Sequence, residues 1–378
     1  MNDMKRNNPF LVEGYAGDEY FCDRRKETET MLQALRSRRN ITLISLRRMG
    51  KSGLIHHVFS KVKRGGEHVT CFYVDIFHTR CLRDFINVFA SEVFGQLDTP
   101  IEKLFRTLSG IFKKSRPVIS SDPISGMPTV TLDFDKGDEN HTLKEVFDYL
   151  STCGRPVYIA FDEFQQINEY PETGVEALLR SLVQLSTNVS FVFAGSKKHL
   201  MQEMFTFPGR PFYQSTQTVL LGPIDSDSYY EFAEAKFRSA GMGITREAFE
   251  YIYNEVFGHT WYVQYWLSRL FDAGLAHVGK EQAIMMLERI LLEEDDNFYM
   301  YTRLLTSQQL RAIRGIALAR KLEEPYAASN IKKYDLPVMS TMKSCITRLL
   351  DKEMIVEERG VYSVYNRFFM LWLVKNSR

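Results

Sequence analysis

Ile41-Thr-Leu-Ile-Ser-Leu-Arg47-Arg48-Met49-Gly50-Lys51-Ser52 is an apolar run of β-forming residues that closes on two arginines and a Gly-Lys-Ser. A helix-compatible segment, Gly53-Leu-Ile-His-His-Val-Phe59, follows at once. Strand, glycine-lysine loop and helix in that order are the parts of a phosphate-binding P-loop. In such a loop successive backbone N–H groups turn inward and the next helix offers its positive N-terminal end, so a phosphate is cradled. Arg47, Arg48, Met49, Gly50, Lys51, Ser52 and Gly53 are therefore the expected binding loop. Lys51 is expected on the β- and γ-phosphates as a mobile charge, and the Ser52 hydroxyl on Mg²⁺. The full pattern opens with Gly, whereas Ser45 stands five positions before Gly50. Taken alone, the loop also reads as a basic turn between a core strand and a helix. Its flanks favour the P-loop.

A length of 378 residues leads to an expectation of two or three domains. Lys and Arg number 48 against 47 Asp and Glu, so no global field points to nucleic acid or membrane, and any basic surface must be local. Five cysteines without a Cys-x-x-Cys pair argue against a zinc or disulfide framework. The N-terminus lacks the apolar core of a signal peptide and no run reaches membrane-spanning length, so a reduced, cytoplasmic protein is expected.

Downstream, Val69 to Phe77 is a near-continuous apolar run suited to a strand buried on both faces. Leu82 to Leu97 has helical spacing, and Arg116 to Asp138 changes texture to Pro, Ser, Gly and short β-prone pieces, a hairpin inserted in the nucleotide domain. Arg155-Pro-Val-Tyr-Ile-Ala-Phe-Asp162-Glu163 is an apolar strand ending in two adjacent carboxylates. Asp162 is the expected Mg²⁺ residue, and Glu163 the expected base for an attacking water. Such pairs also occur as plain strand ends, but not often about a hundred residues after a P-loop. Val189 to Ser196 is a further buried strand, expected between the acidic strand and the P-loop strand, with Ser196 placed to sense a γ-phosphate. Thr218 to Pro223 supplies a fifth strand. Five strands with intervening helices predict a three-layer α/β/α domain over residues 1–223 with a mostly parallel sheet. Phe10, Tyr20 and Phe21, upstream of the P-loop, either wall an adenine or pack beneath the first helix.

From 224 the pattern is helical, with Asp225 and Thr245 as N-caps, which predicts a helical lid over 224–300. Residues 301–378 predict three helices and a hairpin turning at Arg359-Gly360, a winged helix. Between Ala327 and Lys352 the cations Lys332, Lys333, Lys343, Arg348 and Lys352 face Asp335 and Asp351, a local excess that suits either a phosphate backbone or a docking face.

With these residues assembled, the chain resembles the archaeal-type ATPase family, in the STAND branch of the AAA+-related P-loop NTPases, over nearly its full length. The resemblance rests on Arg47 to Ser52, on Tyr158 to Glu163, on Phe193-Ala-Gly195-Ser196, and on Gly258-His259-Thr-Trp-Tyr-Val-Gln264, where Thr260 replaces the usual Pro. Asp23-Arg24 with Glu27 is similar to the family's N-terminal Arg-Glu signature. The resemblance implies ATP and Mg²⁺ as ligands and a nucleotide contact from His259. It also implies an arginine finger, for which Arg210 in Arg210-Pro-Phe-Tyr-Gln-Ser215 is the candidate at an unusual offset. The expected function is a slow, Mg²⁺-dependent ATPase acting as a switch on the winged helix. The alternative is a DNA-binding or protein-interaction module in which nucleotide is mainly structural. No Asn-Lys-x-Asp motif supports GTP.

Overall fold

The computed structural model describes residues 8–95, 112, 115–121 and 128–377, and the chain divides into two compact units. The first, residues 14–222, runs α1 (Arg25–Arg36), β1 (Ile41–Ser45), α2 (Lys51–Arg64), β2 (Thr70–Asp75) and α3 (Leu82–Gly95). It continues with β3 (Arg116–Ser121), β4 (Pro128–Asp133), α4 (Glu139–Thr152) and β5 (Val157–Asp162), which passes into a 3-10 turn, Phe164–Glu169. The last elements are α5 (Val175–Leu185), β6 (Val189–Gly195), α6 (Lys198–Thr206) and β7 (Gln217–Leu221). Strands β2, β5, β6, β1 and β7 form one sheet in that order. Every pairing in it is parallel, and β6 lies between the acidic strand and the P-loop strand as expected.

Alternation along the buried strands sorts side chains to two helical layers. Val157, Ile159 and Phe161 of β5 join Phe191 and Phe193 of β6 in the core covered by α3 to α6. Tyr158 and Ala160 join Val192 and Ala194 in the core beneath α1 and α2. Asp162, the next residue of that second set, therefore emerges on the α2 side, where the P-loop stands. β3 and β4 pair antiparallel as a separate hairpin. The predicted helical residues beyond Gly95 and the hairpin tip at 122–127 lie outside the described residues.

Among the described residues, the second unit comprises 8–13 with 223–377. It contains α7 (Ser226–Ser239), β8 (Gly243–Ile244), α8 (Arg246–Glu255), α9 (Thr260–Asp272), β9 (His277–Val278), α10 (Lys280–Glu293) and α11 (Asp295–Arg303). The Asp225 and Thr245 side chains accept the Ser228 and Ala248 N–H groups, the caps expected from sequence. Then come α12 (Ser307–Ala319), α13 (Ala328–Lys333), α14 (Met339–Asp351), β10 (Ile355–Glu358), β11 (Val361–Val364) and α15 (Arg367–Lys375). β10 and β11 form the antiparallel wing. Its turn has positive φ at both Arg359 and Gly360, as a two-residue hairpin turn of type I′ requires. Phe257, between α8 and α9, has the Lys321 ammonium and the Arg367 guanidinium each 4.8 Å from its ring centre, so helical region and winged helix share one polar-aromatic joint.

Two boundaries differ from expectation. The helical region and the winged helix form one unit, and residues 8–13 belong to it rather than to the α/β unit. The reason is local: the Asn8 amide donates to the Ser268 carbonyl and hydroxyl at 2.9 Å and to Asp272 at 2.8 Å. Phe10 then inserts among Phe232, Phe237 and Phe271.

Candidate nucleotide site

Gly50 takes φ 91° at the N-terminus of α2, a conformation that a side chain opposes, and this lets the loop turn straight from β1 into the helix. The first N–H groups of α2 have no intrahelical acceptor. Arg24 underpins the loop: only 4% exposed, it donates to the Met49 carbonyl at 3.3 Å and pairs with Glu27 at 3.3 Å.

Lys51, 6% exposed, pairs with Asp162 and reaches Glu163 Oε1 at 3.0 Å. The Asp162 carboxylate is fully engaged. Its Oδ1 accepts from Lys51 and, at 2.8 Å, from the Glu163 N–H. Its Oδ2 accepts from Ser52 Oγ at 2.6 Å and from the Tyr73 hydroxyl at 2.5 Å. Burial alone pushes this carboxyl up, but the Lys51 charge and the hydrogen bonds from Lys51, Ser52 and Tyr73 hold it below the usual carboxylate range. Burial, then the Asp162 charge, drive the Tyr73 phenol far above its ordinary value, so it stays a donor. The register explains the reach: Tyr73 pairs with Ala160, two residues before Asp162 and on its face of the sheet.

Glu163 takes a left-handed backbone, φ 55°, uncommon for a residue with a side chain and a form of strain concentrated at functional sites. Besides Lys51, its carboxylate accepts Ser196 Oγ at 2.7 Å and Gln165 Nε2 at 2.6 Å, both on Oε2. The structure thus brings Lys51, Ser52, Asp162, Glu163 and Ser196 into one hydrogen-bonded cluster. The hydroxyl and carboxylate oxygens of Ser52 and Asp162 are the hard donors that Mg²⁺ prefers. Two carboxylates against the single Lys51 charge leave room for a cation, so the residues fit the ion.

Other expected site residues stand elsewhere. Arg47 and Arg48 are exposed, and the Arg47 guanidinium lies 5.6 Å from the ring centre of Phe77. Arg210 pairs with Glu176 at 2.6 Å and Glu203 at 3.4 Å and donates to Asn168 at 2.9 Å; the fingertip expected of it is held by carboxylates in this structure. Phe21 stacks on His57 with ring centres 4.0 Å apart, and Tyr15 packs edge-on to both. Burial holds His56 and His57 below the ordinary histidine value. Phe10 corrects an expectation: at 2% exposure within the aromatic core of the second unit, it has no face left for a base. His259 lies in that same unit, as N-cap of α9, its ring 4.9 Å from that of Tyr262. Tyr73 and Gln165 were missed from sequence. Each carried one faint signal, a polar group interrupting a buried strand or following the acidic pair.

With this geometry in view, known proteins place the architecture. Residues 296–375 match the family model of a probable winged helix domain. No curated protein matches the chain. Among solved structures, a Walker-type ATPase of Pyrococcus abyssi is similar with a TM-score of 0.63 and 17% identity, covering 97% of this chain and 99% of that one. The ORC2 protein of Aeropyrum pernix, solved in ADPNP-ADP complexes, gives 0.60 and 13%, covering 98% and 97%. The ORC1 protein of the same organism, solved with DNA, gives 0.53 and 12%, covering 98% and 97%. The chain has a P-loop NTPase α/β fold with a five-stranded parallel sheet, a helical region and a C-terminal winged helix.

Proposed function

We propose that this chain is an Mg²⁺-dependent ATPase whose nucleotide state is signalled to its winged helix. The observation that carries the reading is Lys51 bridging Asp162 and Glu163, with Ser52 on the first carboxylate and Ser196 on the second. Lys51 leaves both carboxylates for the β- and γ-phosphates when ATP enters. Ser52 and Asp162 would hold Mg²⁺, which neutralises charge on those phosphates. Glu163, released by Lys51, accepts the proton of a water whose oxygen bonds to the γ-phosphorus as the bond to the bridging oxygen breaks and ADP leaves with the electron pair. Ser196 turns to the γ-phosphate side of that water. Arg210 would contribute only after exchanging Glu176 and Glu203 for phosphate. Without such a finger turnover stays slow, since one is worth about 10³–10⁵ in rate.

Equilibrium ATP binding and phosphate release by the purified chain test this. Lys51→Ala is expected to weaken ATP binding by about 10–100-fold, the loss of hydrogen bonds to a charged group. Glu163→Gln is expected to keep binding and lose about 10²–10⁴ in turnover, the share of a general base. Unchanged affinity in Lys51→Ala would overturn the site.

A second reading is DNA contact through the winged helix. Lys332, Lys333, Lys343 and Arg348 are all exposed, the last two on α14. Four phosphate contacts would make log affinity fall against log salt with a slope of about −3 to −4. No salt-sensitive retardation of duplex DNA at low ionic strength would remove this reading.

A further inference from the structure

We propose that Gln165 is the positioning residue that orients the Glu163 carboxylate toward the attacking water. The inference deepens the hydrolysis reading above and rests on it.

Three side-chain donors hold the Glu163 carboxylate: Lys51 on Oε1, and Ser196 and Gln165 on Oε2. Lys51 and Ser196 both have business with phosphate and move when ATP arrives. Gln165 does not. It is 4% exposed and sits in the 3-10 turn that follows the acidic pair. Its amide oxygen presses on the end of β6, where a methyl group added to Gly195 would lie 2.3 Å from Oε1. The chemistry fixes the orientation of the amide, because turning it over would face an oxygen to a carboxylate. Gln165 Nε2 therefore remains on Oε2 while Lys51 vacates Oε1. That leaves Oε1 as the oxygen presented to water, on a carboxylate whose torsion is already set. The left-handed backbone of Glu163 aims the side chain, and Gln165 stops it from swinging. A base positioned in this way before substrate binds gains rate without gaining affinity.

The test uses the full chain with ATP and Mg²⁺, comparing wild type, Gln165→Met (similar length, no donor) and Gln165→Leu (no polar atom). Turnover, equilibrium nucleotide binding and thermal midpoint are measured on each. The expected result is a kcat lowered about 10–100-fold in both variants, with nucleotide affinity unchanged. In a Glu163→Gln background the Gln165 substitutions should cost nothing further, because Gln165 acts through that carboxylate. A variant with wild-type kcat, or a loss that adds fully to that of Glu163→Gln, overturns the proposal. If Gln165→Met fails to fold, Gln165→Leu carries the same comparison. Wild type turning over no faster than Lys51→Ala overturns the hydrolysis reading itself, and this inference with it. Wild-type turnover with unaffected variants overturns the inference alone.

Discussion

Arg24 shows how one buried charge can shape a loop. Its guanidinium holds the Met49 carbonyl, and in a planar trans peptide that fixes the Gly50 N–H on the opposite side. Arg24→Met should weaken ATP binding by roughly tenfold, the worth of one hydrogen bond from a charged donor, measurable by fluorescent-nucleotide titration. Arg24→Lys should not restore it, since a lysine lacks the planar fork that spans Met49 and Glu27. The histidines of α2 make the same unit sensitive to acid. Burial lowers both below the ordinary value of 6.5, although Asp18 near His57 and Asp162 near His56 pull upward while Lys61, Lys63 and Arg64 push down. The unfolded chain then takes up protons near pH 6.5 that the folded chain refuses until lower pH. Stability from this source is full above about 6.5 and is lost as pH falls toward the folded values. Urea midpoints should decline from pH 7 to pH 5, and His56→Asn with His57→Gln should flatten that decline.

At the scale of elements, β5 and β6 bring residues of the candidate site together because their ends lie side by side. Phe161 pairs with Phe193, so the acidic pair and Gly195-Ser196 leave the sheet at neighbouring points. Gly195 is the tight spot. An added methyl group would meet Gln165 and, at 2.4 Å, the sulfur of fully buried Met201. Gly195→Ala should cost about 1–3 kcal/mol by overpacking, read from urea unfolding, and should slow turnover by displacing Gln165. The strands themselves were legible in sequence, because strands buried on both faces spell themselves as unbroken apolar runs. So were the caps at Asp225 and Thr245. Tyr73 and Gln165 were not, because their roles depend on cross-strand register and on a side chain wedged against another strand. Neither follows from spacing along one segment.

For the whole molecule, residues of the candidate cluster lie more than a hundred positions apart yet were readable, because Asp162 and Ser196 stand at strand ends while Lys51 and Ser52 follow a strand-and-loop pattern. The assignment of residues 8–13 to the second unit was not. Phe10 carries the local pattern of any aromatic near a helix, and only the second unit's vacancy among Phe232, Phe237 and Phe271 assigns it. Phe10→Ala should destabilise the second unit by about 3–5 kcal/mol while leaving ATP affinity of the first unit unchanged, measured by urea unfolding and nucleotide titration. The charge of the winged helix is also uneven. Cations stand on α13 and α14, whereas the wing offers the exposed pair Glu357 and Glu358 beside Arg359. Any phosphate contact therefore belongs to the helices rather than to the wing tip.

The Asn8 and Phe10 anchor has a consequence for how the chain is made. Asn8 meets Ser268 across 260 positions, and the whole α/β unit is synthesised between them. Domains generally fold as they emerge from the ribosome, N-terminal first. Here Asn8 and Phe10 are an exception: they wait, with Phe10 uncovered, until α7 and α9 exist. The second unit thus closes late, on a segment synthesised before the α/β unit. A chain stalled before α9 would leave this aromatic segment uncovered after the α/β unit has folded.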